Sequence, residues 1–157
     1  MTQDMTLGDF KIQTTIVVQW GDMDAYQHVN NVTYVRWGEA ARVDYFMAMG
    51  FVINQDPKKM RYAPILGFQS VKYLVPVVYP DTIIIGTKTE VIKDDRLVLK
   101  SYFFSRIQDR LVAIQTHEVF MVDYKKQQKM ILPKEVIVAI HQIENECKKQ
   151  PHYKVLP

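Results

Sequence analysis

Residues 32–50 read VTYVRWGEAARVDYFMAMG, and this stretch decides the fold. Apolar side chains fill twelve of its first 18 positions: Val32, Tyr34, Val35, Trp37, Ala40, Ala41, Val43, Tyr45, Phe46, Met47, Ala48 and Met49. No helical face is free of them, and a helix apolar nearly all round is a buried one. Gly50 gives the stop, since glycine takes the left-handed conformation that ends a helix at no steric cost. Asn30 or Asn31 gives the start, by accepting a hydrogen bond from a first-turn amide. A helix over Val32–Met49 is about 27 Å long at 1.5 Å per residue.

Strands surround that helix in sequence. Lys11–Trp20 alternates, with Ile12, Thr14, Ile16, Val18 and Trp20 on one parity. After a Lys- and Pro-rich loop over 54–64 come four long strand-like segments, at about 65–75, 82–93, 97–107 and 111–124. Asp94-Asp95 and Gln108-Asp109 are short enough to be hairpin links. A strand of ten residues spans roughly 35 Å, long enough to cover the whole helix. Pro133 opens a last helix to about residue 148, with Val136, Ile137, Ile140 and Ile143 on one side. The pattern predicts an α+β domain in which one curved antiparallel sheet of five to six strands wraps one buried helix. One domain over 1–157 is expected, with loosely packed tails at 1–9 and 150–157.

Such a sheet has two faces. Parity sets Ile83, Ile85, Leu97, Leu99, Val119 and Met121 against Ile84, Ile92, Val98, Tyr102, Val112, Ile114, Phe120 and Val122. Both faces are apolar, so self-association is expected.

Composition narrows the chemistry. One cysteine excludes an internal disulfide and a Cys-rich zinc site. The three serines, Ser70, Ser101 and Ser105, lie in no G-x-S-x-G elbow. His117, His141 and His152 lie in no metal-binding spacing, and the six glycines form no phosphate loop, so no metal or cofactor is expected. The net charge of +3 is spread along the chain apart from Lys125, Lys126, Lys129 and Lys148–Lys149. Those read as solvated surface or as a patch for a nucleotide phosphate. A nucleic-acid partner and a membrane span are not expected. Residues 1–10 lack a basic and an apolar signal region, so a cytoplasmic location is expected.

The densest polar cluster is Trp20-Gly-Asp-Met-Asp-Ala-Tyr-Gln-His-Val-Asn-Asn-Val-Thr-Tyr34, immediately before the helix. A helix N-terminus offers unpaired N–H groups and partial positive charge, which suit a developing oxyanion. A carboxylate beside it can attack a carbonyl or deprotonate water. The same residues can instead be a cap and a well-bonded loop with Asp22 and Asp24 as turn formers.

Asp22-x-Asp24-x-x-x-His28-Val29-Asn30-Asn31-x-x-Tyr34, followed by Glu39-Ala-Ala-Arg42, resembles the signature of hotdog-fold thioesterases. It is similar to the 4-hydroxybenzoyl-CoA thioesterase group and its bacterial acyl-CoA relatives. Gln27–Tyr34 also resembles plant acyl-ACP thioesterases. Gly67–Pro76 resembles the family's second strand, and Tyr79-Pro-Asp81 its next turn. The resemblance implies hydrolysis of an acyl-CoA or acyl-ACP thioester in lipid metabolism, without a cofactor. It places the carboxylate on Asp24 as nucleophile or general base, and the oxyanion donor on the Asn31 N–H. Asn30 and His28 line the site or orient water, with His28 itself catalytic in some relatives. Asp22 is assigned to the loop backbone. Tyr34 is a substrate contact or a packing residue. Glu39 stands where another branch of the fold has its carboxylate, or pairs with Arg42. Edge-to-edge dimers with the site at the interface are implied, and tetramers through the outer sheet face.

Thiolate is a good leaving group, so a site poor in Ser, Cys and metal ligands suffices. A non-catalytic acyl-CoA sensor on the same scaffold is the alternative, although a sensor has no need of Asp24. A hydratase of this fold uses a histidine motif that is missing here. Phe46, Met47, Met49, Phe51 and Tyr62 are candidate acyl-pocket residues, and Lys72, Arg106 and Lys125 candidate phosphate contacts.

Overall fold

The computed structural model describes residues 5–52, 56 and 60–147. The elements are β1 (Ile12–Val17), α1 (Asn31–Ala48), β2 (Tyr62–Tyr73), β3 (Thr82–Ile92), β4 (Arg96–Ser105), β5 (Arg110–Asp123), β6 (Gln128–Lys129) and α2 (Lys134–Cys147). Two 3-10 turns, Leu7–Asp9 and Trp20–Asp22, flank β1. The strands pair antiparallel in the order β1-β3-β4-β5-β2, and β6 joins β5. One curled sheet around one long helix is the arrangement expected.

The curl has a local cause. Register shifts fall at Leu66/Phe68, Thr89/Val91 and Phe103/Phe104. Each inserts an unpaired residue, which bends a strand and raises its twist. At the first, Gly67 leaves room for the Phe120 ring, which a Cβ would meet at 2.3 Å. The shifts also overturn two parity assignments. Ile92 and Val112 were expected on the outer face; Ile92 packs into one helix-side cluster and Val112 is buried in the other. Hairpin β5–β6 was not expected. It closes on Gln127 at φ 50°, with Asp123 Oδ1 accepting the Lys125 and Lys126 amides at 2.9 and 3.0 Å.

Helix α1 starts where Asn30 Oδ1 accepts the Val32 N–H at 3.0 Å. It ends at Gly50, φ 92°, where the Gly50 and Phe51 amides bond back to Met47 and Phe46. It is buried on one flank, through Tyr34, Trp37, Ala41, Tyr45 and Phe46, and open on the other. Val32 is 67% exposed and Met47 52%, so the expectation of burial all round fails within the single chain. One sheet covers one side of a cylinder. Helix α2 docks through Val136 and Ile140, and through Glu144 Oε1, which accepts both the Tyr45 hydroxyl and the Thr89 N–H at 2.8 Å.

The interior holds two apolar clusters. One contains Trp37, Ile83, Ile85 and Phe103; the other contains Phe46, Leu97, Leu99 and Met121. Between them, level on β3, β4 and β5, lie the buried Thr87, Ser101, Gln115 and His117. Arg42 Nη1 lies 3.3 Å from His117 Nδ1. Arginine can only donate, so Nδ1 accepts, and Nε2–H donates to Ser101 Oγ at 3.3 Å. Ser101 Oγ in turn contacts Thr87 Oγ1 at 2.9 Å. Burial, and then the Arg42 charge, push His117 down to about 3, so its ring is neutral.

The outer face is less open than expected. Phe10 lies on Gly86, where a Cβ would meet its ring at 2.3 Å, and packs on Tyr102 and Phe104. Met5 and Leu7 join the same cluster. Arg96 and Lys129 sit over the Phe120 ring at 4.3 and 3.6 Å. Ile84, Tyr102, Phe104 and Phe120 are thus buried in a single chain. Within the tail expected over 1–9, Met5 and Leu7 pack while Thr6, Gly8 and Asp9 are exposed; 1–4 and 150–157 lie outside the described residues.

Candidate active site

The loop before α1 is held by its first aspartate. Asp22 is 7% exposed. Its Oδ2 accepts the Gln19 N–H and its Oδ1 the Arg36 guanidinium, both at 2.8 Å, while its carbonyl accepts the Asn30 N–H at 2.8 Å. These bonds give Asp22 the loop role expected of it. Met23 and Val29 then bridge, and Asp24–Gln27 turns back, with Gln27 at φ 62°. This turn sets Asp24 beside the helix start.

Asp24 is half-buried, and its Oδ1 accepts the Tyr26 N–H at 2.8 Å. That bond fixes the carboxylate while its second oxygen has no hydrogen bond among the described residues. Asp24, His28, Asn31 and Tyr34 line one groove of about 340 Å³ with Val29, Tyr73 and the segment 74–76. The Val32 and Thr33 amides are taken by Asn30, but nothing among the described residues bonds the Asn31 N–H. An open first-turn amide, at the positive end of an 18-residue helix, therefore shares a groove with a carboxylate. His28 is exposed there, and its ring has no partner among the described residues.

Other expected residues lie elsewhere. Asn30 does not line the groove: its side chain is committed to the cap and its N–H to Asp22. Glu39 does not reach it either. It is eight residues past Asn31, about 12 Å along the helix, 64% exposed and 3.7 Å from Arg42. Tyr34 is floor, with its ring against Trp37, Tyr73 and Phe103. Burial raises its hydroxyl to about 12, so it stays protonated. Met49, Phe51 and Tyr62 line a different cavity, of about 380 Å³, at the far end of α1; Phe46 is core and Met47 is exposed.

Tyr73 was not singled out from sequence. Its hydroxyl donates to the Asn31 carbonyl at 2.9 Å and its ring meets Tyr34 edge-on at 5.2 Å. It thereby ties β2 to the first turn of α1. The signal was available: Tyr73 lies within the strand motif Gly67–Pro76 at the parity of the inward Val71. Asp24 also lines a second cavity, of about 500 Å³, with Trp20, Met23, Gln27, Val78 and Tyr79. Among the described residues no three His, Cys, Asp or Glu side chains come together as a metal site, and no helix is long and apolar enough to cross a membrane.

A family model described as the thioesterase-like superfamily matches residues 18–140. No curated protein sequence matches the chain. Among solved structures, the PA2801 protein from Pseudomonas aeruginosa, provisionally assigned as a thioesterase, is 26% identical, with TM-score 0.72 over 83% of this chain and 98% of that one. The DHNA-CoA thioesterase from Staphylococcus aureus is 21% identical, with TM-score 0.71 over 85% and 93% of the two chains. The SAV2348 protein from Staphylococcus aureus, solved in complex with CoA, is 13% identical, with TM-score 0.77 over 91% and 87%. The last two likenesses are of fold.

Proposed function

Since the chain belongs to the thioesterase-like superfamily and has the hotdog fold, we propose that it hydrolyses an acyl-CoA at the groove between Asp24 and the Asn31 N–H. The observation that carries this is the pairing itself: a fixed carboxylate and an open helix-start amide on one groove. The thioester carbonyl oxygen takes the Asn31 N–H, where partial positive charge stabilises the tetrahedral oxyanion. Asp24 removes a proton from water as the water oxygen bonds to the carbonyl carbon. The C–S bond then breaks, and the departing thiolate takes up a proton. Direct attack by Asp24, giving an acyl anhydride that water opens, uses the same atoms. In single turnover in heavy-oxygen water, an enzyme oxygen in the product acid marks that covalent route.

His28 orients the attacking water from the rim of the groove. A CoA carrier is supported by the solved relative that holds CoA and by the one named for a CoA thioester. The test is release of free thiol from a panel of short, long and aromatic acyl-CoAs, with acyl-ACP alongside. Tight binding without turnover would leave a sensor and end the hydrolase reading.

The assembly proposed with it is a twofold dimer. β2 is an edge strand, and Ile65, Phe68 and Tyr73 on it are 40%, 53% and 46% exposed. An open apolar edge invites a second strand. Antiparallel pairing there continues the sheet and sets each groove, through Tyr73, against the partner. With Phe10 already covering the outer face, the dimer is the unit we propose. A stable monomer in sedimentation at low micromolar concentration would refute it.

A further inference from the structure

A thioester has two arms that diverge from the reacting carbon, and Asp24 lines two cavities. The first has the buried Val29 and Tyr34 as its floor and the half-exposed Tyr73 and Leu74 at its rim, next to the Asn31 N–H that suits the carbonyl. The second is lined by Trp20, Met23, Gln27, Val78 and Tyr79. Its apolar members are open to water: Trp20 is 74% exposed, Val78 and Tyr79 45% each. A buried acyl group fits the first. The second suits a chain that is amphipathic along its length, with methylenes and methyls for the indole and phenol rings and amides for a polar partner.

We propose that this second cavity seats the pantetheine arm of the substrate, with Trp20 and Tyr79 as its apolar walls and Gln27 as its amide contact. The inference rests on the thioesterase reading. The Gln27 carboxamide offers a donor and an acceptor, and among the described residues neither is used. Gln27 is held at φ 62° by the turn that places Asp24, so the amide contact and the carboxylate move as one piece. The geometry makes the shared arm, rather than a nucleotide, the recognised group.

Binding can be read without turnover. Of the two tryptophans, Trp37 is 4% exposed and Trp20 is the one in contact with water. Coenzyme A and pantetheine should each shift the exposed tryptophan emission to shorter wavelength. The response should vanish in Trp20→Phe, and adenosine 3′,5′-bisphosphate should not produce it. A response to the bisphosphate and none to pantetheine would overturn the proposal, as would no response to either carrier. In kinetics, Trp20→Ala should lower the kcat/KM of acyl-CoA relative to that of the matching acyl-N-acetylcysteamine by at least about fivefold, the effect of withdrawing roughly 40 Å² of apolar contact. Equal losses for the two substrates would show that Trp20 acts through the loop, and would refute a pantetheine seat. The same ratio with acyl-ACP in place of acyl-CoA reads which carrier delivers the arm. If no thioester is turned over while both carriers still shift the emission, the hydrolase reading fails and the pantetheine seat stands.

Discussion

His117 makes stability depend on pH in a way that one substitution can isolate. In the folded chain its ring is fully buried and titrates near 3; in the unfolded chain an imidazole titrates near 6.5. Between those values the unfolded state binds a proton that the native state refuses. Stability therefore rises with pH across this window and is lost as pH falls, by up to about 1.4 kcal/mol per pH unit. Integrated from pH 7 to pH 5, this one group costs about 2 kcal/mol. The perturbation is His117→Gln, which can still accept from Arg42 and donate to Ser101 but does not titrate. Urea unfolding of both proteins at pH 7 and pH 5, at one protein concentration, gives two differences. All carboxylates and the remaining histidines are common to both, so wild type should lose about 2 kcal/mol more than the variant. Equal losses would refute the neutral, buried imidazole. So would a resonance that is absent from the His117→Gln variant, and thus belongs to His117, titrating near pH 6 in the folded protein.

Asp24→Asn should lower kcat for acyl-CoA by at least about a hundredfold while the protein melts within a few degrees of wild type; near-normal kcat removes Asp24 from the chemistry. Tyr45→Phe deletes a hydroxyl shared by Glu144 and Thr89, and should cost about 1–2 kcal/mol in urea unfolding. The amides of α2 should exchange hydrogen faster in that variant, since the bond ties α2 to the helix. Gly86→Ala should cost about 1–3 kcal/mol, because its methyl meets the Phe10 ring. Adding Phe10→Ala should recover part of that loss, and a strictly additive double variant would show that Phe10 does not lie on Gly86.

Much of this molecule could be read from spacing. The helix was legible because apolar content, an asparagine cap and Gly50 agree on its limits, and the long strands because alternation and short polar links mark them. What failed has local causes. Periodicity of two assumes an unbroken pleat, so the shifts at Thr89/Val91 and Phe103/Phe104 put Ile92 and Val112 on the wrong face. Trp20 shares the parity of Val18, but β1 ends at Val17 and the following 3-10 turn sends Trp20 to solvent. At the site, Asp24, His28 and Asn31 converge because they are close in sequence. Tyr73 was missed because it arrives from another strand. His117 was set aside for want of metal spacing, although Gln115 and His117 stand together on the inward parity between Ala113 and Val119, a polar pair where apolar residues are expected.

The polar layer in the core also sets a length. Greasy surfaces tolerate a slide; a donor that loses its acceptor in the interior does not. Arg42 meets His117 at one axial position of α1, so the helix has a stop along its own axis. Asn31 lies eleven residues upstream, about 16 Å. The depth at which the Asn31 N–H stands in the groove, and hence its alignment with Asp24 in the proposed reaction, is gauged from the other end of that span. A substitution at Ser101 or Thr87 could thus detune hydrolysis without touching the substrate.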